Sequence, residues 1–476
     1  MNHRTVTSRA NKTILVAVLC ATLFVLPATA TTMSDLMRFL PADGHVAIGL
    51  PDIEAVESAG QPLMQLGPLS DLSSLAVMLG GDTLSEGLAN CGVNANAPGA
   101  IFLSVASAHD VRVAGVLMVA DADTVKDTMP NLLGGDGAEV SLPGDIAGRF
   151  VAGSGVGYFL NDDKLFIASS EALMEQLAAR IAAPADVNYV AKDEVVIWSR
   201  IDIIQENDLL SLMDELSHLN PVLNSLSSFS DEVIFAIGEE LGEAYVRVAA
   251  RDSSGEEVPS PGTLALHGYM DADAPLLANL RLTPQLIGTL ASALSQNPAT
   301  RQVGGYIRLA SSLLGDEMAV SLRAMDGSIP DALIAVTVQN PNTVPNLLRM
   351  VANIDEPSYQ HNDTDVYVYE TGGVDLNIAV AGETIIVAPG EENLKSALAS
   401  FEEATGSGVP APIVNRGPYG FVVFDGAKAA ALDIDFPNIE DVDVALLLGI
   451  DGPWRQAVLT SPAGLAGIGA MLQGVL

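Results

Sequence analysis

His267, Asp271 and Asp273 are the residues whose types and spacing come nearest to a metal site, an imidazole followed closely by two carboxylates. Nitrogen and carboxylate ligands suit zinc, and carboxylates alone suit calcium. They are expected at the end of a strand over 264–270, where a cation or substrate could be met. Acid pairs recur at Asp121/Asp123, Asp271/Asp273, Asp363/Asp365 and Asp433/Asp435. None has the calcium loop's required glycine and closing glutamate, so calcium stays an option without a motif. Helix capping is the simpler account, because several pairs follow strands and precede helices. After residue 30 the histidines are His45, His109, His218, His267 and His361, none in His-x-x-x-His spacing. His218 follows Asp214 by one helical turn and reads as part of a solvated helix face. Gly153-Ser154-Gly155-Val156-Gly157 imitates a phosphate loop, yet it precedes a strand and lacks the following Lys-Ser/Thr. Cys91, in a turn-like Asn90-Cys91-Gly92, has no histidine near it in sequence and reads as a small, partly buried residue. No catalytic or cofactor-binding residue is assigned.

The stretch that positions much of the chain is Val111 to Leu133: a β-rich run, an acidic turn, then apolar residues at helical spacing. It returns as Ala332 to Val351, with Thr124 matching Thr343, Val125 matching Val344, and Asn340 and Asn342 replacing Asp121 and Asp123. A hairpin over 159–167 and a helix capped by Ser170 return as a hairpin over 377–387 and a helix containing Leu394, Ala397, Leu398 and Phe401. These echoes predict duplication. Residues 31–252 form a first domain, 253–262 a linker rich in Ser, Pro and Gly, and 263–476 a second domain repeating the first. The fold class is α+β, with two tandem domains, each a mainly antiparallel sheet carrying helices on one face.

Other expected elements are helices over 34–40 (capped by Ser34), 52–59, 69–79, 83–90, 208–219, 284–295 and 301–314. Pro130 is expected to kink or end the helix that follows Asp123. Strands are expected over 45–50, 100–105, 113–119, 194–201, 233–237, 244–249, 317–324, 332–338, 419–424, 443–449 and 454–460. The uncharged tail from Gln456 is expected to form a helix capped by Ser461.

Composition narrows the function. Of 476 residues, 22 are Lys or Arg and 59 Asp or Glu, for a net charge of −37, which repels nucleic-acid phosphates. Residues 1–30 read as a secretory signal peptide: a basic start, an apolar run from Ile14 to Leu26, and Ala28-Thr29-Ala30 before cleavage. Cleavage leaves Cys91 alone, so no intrachain disulfide can form. The mature chain is expected to be exported, to the periplasm, cell surface or extracellular space, and to lack an integral membrane span. Leu40-Pro41-Ala42-Asp43, a short strand, then Pro51-Asp52 and a helix resembles, over residues 40–56, a class of exported bacterial proteins of uncharacterised function. That resemblance implies export and an α+β repeat-like body. The expected function is a non-enzymatic binding or scaffold protein of the bacterial envelope, its partner an unknown protein or small-molecule ligand. The alternatives are a calcium-dependent or carboxylate-based hydrolase with a site between the two halves, and a carrier of apolar ligands.

Overall fold

The computed structural model describes residues 32–52, 79–107, 110–185, 194–200, 230–240, 243–252, 262, 264–271, 273–283, 287, 313–324, 331–371, 373–402, 409, 411–430, 443–451, 454–464 and 468. The signal segment, the helices expected over 52–59, 69–79 and 208–219, nearly all of 284–295 and 301–314, and most of the linker and tail lie outside them. Contacts divide the chain into two compact units, Met1–Glu256 and Glu257–Leu476.

The first unit opens with α1 (Met33–Met37), whose N-cap is Thr32, not Ser34: Thr32 and Asp35 form a reciprocal capping box. Among the described residues ten strands follow: β1 (Val46–Leu50), β2 (Gly99–Ser107), β3 (Asp110–Met118), β4 (Ala138–Leu142), β5 (Ile146–Val151), β6 (Val156–Asn161), β7 (Lys164–Ala168), β8 (Glu194–Arg200), β9 (Ser230–Glu240) and β10 (Glu243–Asp252). Every pairing is antiparallel, in the spatial order β10-β9-β8-β1-β2-β3-β7-β6-β5-β4. The described residues also form helices α2 (Leu84–Asn90, capped by Thr83), α3 (Ala122–Leu133) and α4 (Glu171–Ala182, capped by Ser170). Pro130 does not end α3, which runs on to Leu133 and stops at Gly134 in the left-handed conformation.

The second unit contains β11 (Leu276–Arg281), β12 (Leu314–Ala324), β13 (Asp331–Val338), β14 (Tyr359–His361), β15 (Thr364–Thr371), β16 (Val374–Ala381), β17 (Thr384–Pro389), β18 (Gly420–Asp425), β19 (Asp443–Asp451) and β20 (Trp454–Ser461). Their order is β20-β19-β18-β11-β12-β13-β17-β16-β15-β14, again antiparallel throughout, so the two units share one pairing order strand for strand. Registers match as well. Val116 opposes Phe166 in the first unit, and the residues aligned with them, Ala335 and Ile386, oppose one another in the second. All four side chains are fully buried. The helices are α5 (Val344–Ala352), α6 (Glu391–Glu402), α7 (Ala411–Arg416) and α8 (Gly426–Ala430).

Sequence reading put helices on one face only; the first unit carries them on both. Met33 and Met37 of α1 lie against Gly49 on the inner face of the sheet, and Met174 of α4 reaches the same face at Gly157. On the outer face, Leu84 of α2 packs with Ile48, Leu50 and Ile101. Val125 and Met129 of α3 pack there with Tyr158 and Leu165. The physical reason is that these strands are apolar on both sides, as in Ala47-Ile48-Gly49-Leu50, all buried, so neither face tolerates water. In the second unit α6, with Leu394, Ala397 and Leu398, and a 3-10 turn, Leu266–Tyr269, cover the inner face.

Candidate functional site

His267, Asp271 and Asp273 do not end a strand. The residues read as one over 264–270 contain the 3-10 turn Leu266–Tyr269, and the strand β11 begins only at Leu276. The cause is the carboxylate of Glu317, nearly fully buried on β12. One of its oxygens accepts the backbone N–H groups of Ala265 (2.8 Å) and Leu266 (2.6 Å) and the side-chain amide of Asn279 (3.0 Å). Donors spent on a carboxylate are lost to a sheet ladder, so the segment curls. Asp271 accepts the N–H of Asp273 (3.0 Å) and lies 3.5 Å from the guanidinium of Arg323, which also pairs with Asp331 at 2.9 Å. Its oxygens serve a local turn and an ion pair. Asp273 is exposed and His267 is half-buried. Among the described residues no group of three or more His, Cys, Asp or Glu side chains is placed to hold a metal ion.

The other acid pairs divide. Asp121 caps α3, accepting from the N–H groups of Asp123 (3.0 Å) and Thr124 (3.3 Å), while the Thr124 hydroxyl donates to it at 2.7 Å. That hydroxyl, and then the two N–H groups, hold the Asp121 carboxyl below its ordinary pKa. Asn340 does the same job before α5, accepting from Asn342 N–H at 3.1 Å. Asp363 caps nothing: with Asn362 it forms the β14–β15 turn, both residues at positive φ, the signature of a type I′ hairpin. Asp365 takes a hydrogen bond from Gln360 at 2.7 Å, and Asp433/Asp435 lie outside the described residues. Gly153 to Gly155 are the turn between β5 and β6. Cys91 is buried, and that burial pushes its thiol pKa up, away from the reactive thiolate. A depression of about 410 Å³ beside α2 holds Thr83, Glu86 and Asn94. Thr83 and Glu86 are already engaged in capping α2, through Glu86 N–H at 3.2 Å and Asp82 N–H at 3.0 Å.

Two features escaped the sequence reading. The first is a buried polar cluster in which Glu194 of β8 accepts from the phenol of Tyr245 and from the guanidinium of Arg247, both on β10. All three are buried, with Glu194 fully enclosed. The strand between, β9, offers Gly238 and Ala236 at the facing positions; a Cβ at residue 238 would stand 2.8 Å from the Tyr245 hydroxyl oxygen. Glycine therefore opens the trough that Tyr245 crosses. The signal was there in Arg247, a lone charge between Ala244-Tyr245-Val246 and Val248-Ala249-Ala250, whereas Glu194 ends the charged run Lys192-Asp193-Glu194 and so did not stand out.

The second feature is an apolar row across the outer face of the second sheet. Leu459, Leu446, Val422, Ala278, Val320, Ile334, Val387 and Ile378 oppose one another in succession on eight neighbouring strands. All are half-buried except Ile334, which is 37% exposed. The matching row in the first unit includes Ile48 and Ile101, which are buried beneath Leu84. Among the described side chains of α5 only Val344 is buried, and Met350 is 82% exposed.

No protein-family model matches the chain. No curated protein matches it either. Among solved structures it is similar to crystal form I of TP0453, at 8% identity and a TM-score of 0.28 over 79% of this chain and 98% of that one. It is also similar to crystal form III (8%, 0.26, 48% and 83%) and crystal form IV (8%, 0.27, 46% and 80%). Among the described residues no helix is long and apolar enough to cross a membrane.

Proposed function

We propose that the protein is an exported, non-enzymatic binding or scaffold protein of the bacterial envelope, built by duplication of a ten-stranded α+β domain. The observation that carries this reading is what the two units share. They have in common pairing order and register, while the polar groups differ: Asp121 and Asp123 become Asn340 and Asn342, and the places of Glu194, Tyr245 and Arg247 are taken by Tyr419, Gln456 and Val458. A scaffold kept twice without a common polar constellation supports a role carried by surfaces. The test is a panel of ester, glycoside and peptide substrates offered to the purified full chain. Turnover abolished by one substitution would overturn the reading.

A second reading, a carrier of apolar ligands, is favoured by the half-exposed row through Val320, Ile334 and Val387. A fluorescent fatty acid should bind the natural protein and bind the Ile334→Glu variant at least tenfold more weakly, since a carboxylate would enter an apolar contact. Equal binding by the two would sink this second reading.

A further inference from the structure

The two units end alike: a strand, β8 or β18, receives a hairpin, β9–β10 or β19–β20. On the outer face the hairpins are equivalent, since Phe235 and Val248 continue the row beyond Ile197 as Leu446 and Leu459 continue it beyond Val422. By backbone pairing and apolar pattern alone, either hairpin fits either strand. We propose that the Glu194–Tyr245–Arg247 cluster is a partner selector, which admits to β8 the hairpin of its own unit and rejects the matching hairpin of the other.

On the inner face the same registers set Leu447, Val458 and Gln456 in the places of Ala236, Arg247 and Tyr245. Hairpin β19–β20 laid on β8 would offer buried Glu194 neither a phenol nor a guanidinium, and Leu447 would fill the trough that Ala236 leaves open. In the reverse exchange Arg247 would enter the row of fully buried Phe421, where the natural occupant is Val458. Each exchange takes a charge from the partner it is built for: Glu194 would meet the Gln456 amide and no guanidinium, and Arg247 would stand without Glu194 in the half-buried place of Val458; such charges are known to fix register and partner elsewhere. The inference rests on the pairing order and is independent of the proposed function.

The experiment uses the full chain with Cys20→Ser and Cys91→Ala, carrying Ile197→Cys, Phe235→Cys and Leu446→Cys on the half-exposed outer face. It is refolded from urea and treated with a short bismaleimide, and the crosslinked peptides are quantified by mass spectrometry. With the cluster intact, the 197–235 link should exceed the 197–446 link by ~100-fold or more, the discrimination expected of one stranded buried charge. In Glu194→Leu/Tyr245→Phe/Arg247→Leu the ratio should fall below ~10-fold. Glu194→Gln, which keeps shape and removes charge, should lower the ratio several-fold, and it decides the matter if the triple variant does not fold. An unchanged ratio in whichever variant folds would overturn the selector.

Discussion

Arg247→Met would take from the fully buried Glu194 carboxylate the guanidinium paired with it, at a cost of about 3–5 kcal/mol in urea unfolding, because breaking a buried ion pair leaves its charge poorly compensated. Adding Glu194→Leu should recover most of that loss, since an apolar pair of similar volume asks for no solvation; failure to recover would mean packing, not charge, dominates. Tyr245 predicts a pH dependence. Burial first, then the neighbouring Glu194 charge, push its phenol well above the ordinary tyrosine value. The folded state thus holds the proton more tightly than the unfolded chain. The stability this contributes is whole below about pH 10 and is lost as pH rises above it. Thermal melts from pH 8 to 11 should therefore decline less steeply in Tyr245→Phe than in the natural protein.

At the scale of elements, glycines decide how closely α4 approaches its sheet. A Cβ at Gly157 would stand 2.1 Å from the sulfur of Met174, and one at Gly148 would stand 2.8 Å from its terminal methyl. Gly157→Ala should cost about 1–3 kcal/mol in chemical denaturation by overpacking, and Met174→Ala in the same chain should relieve part of it. A destabilisation that Met174→Ala does not touch would place the strain in the strand itself. The helix was legible: Ser170 caps it, and Leu173, Met174 and Leu177, at helical spacing, are buried. So were the β6–β7 and β16–β17 hairpins, whose polar turns divide apolar runs. The β4–β5 and β14–β15 hairpins were missed. β4 is exposed along most of its length and β14 spans only Tyr359–His361, so neither strand carries the alternation that marks a half-buried one. The turn at Leu266–Tyr269 was read as a strand because the carboxylate that bends it, Glu317, lies about fifty residues away in sequence, where local pattern cannot register it.

Over the whole molecule, the sequence echo between Thr124 and Thr343 pointed to a repeated block, and the pairings extend one order across the ten described strands of each unit. Strand order depends on contacts far apart in the chain, so local text showed the echo but not the order. Acidity also acts at this scale. With 59 carboxylates against 22 bases, self-repulsion opposes the compact state, and salt screens it over a Debye length of about 10 Å at 0.1 M. The melting temperature should therefore rise from low salt to about 0.5 M sodium chloride, where screening has shortened to a few ångströms. Calcium supplies the discriminating arm. If carboxylates act only as a diffuse charge, calcium and magnesium at equal ionic strength should raise the melting temperature by equal amounts, and Asp271→Asn should not change the difference between them. A larger shift with calcium, lost in Asp271→Asn, would instead mean that calcium draws this carboxylate away from Arg323.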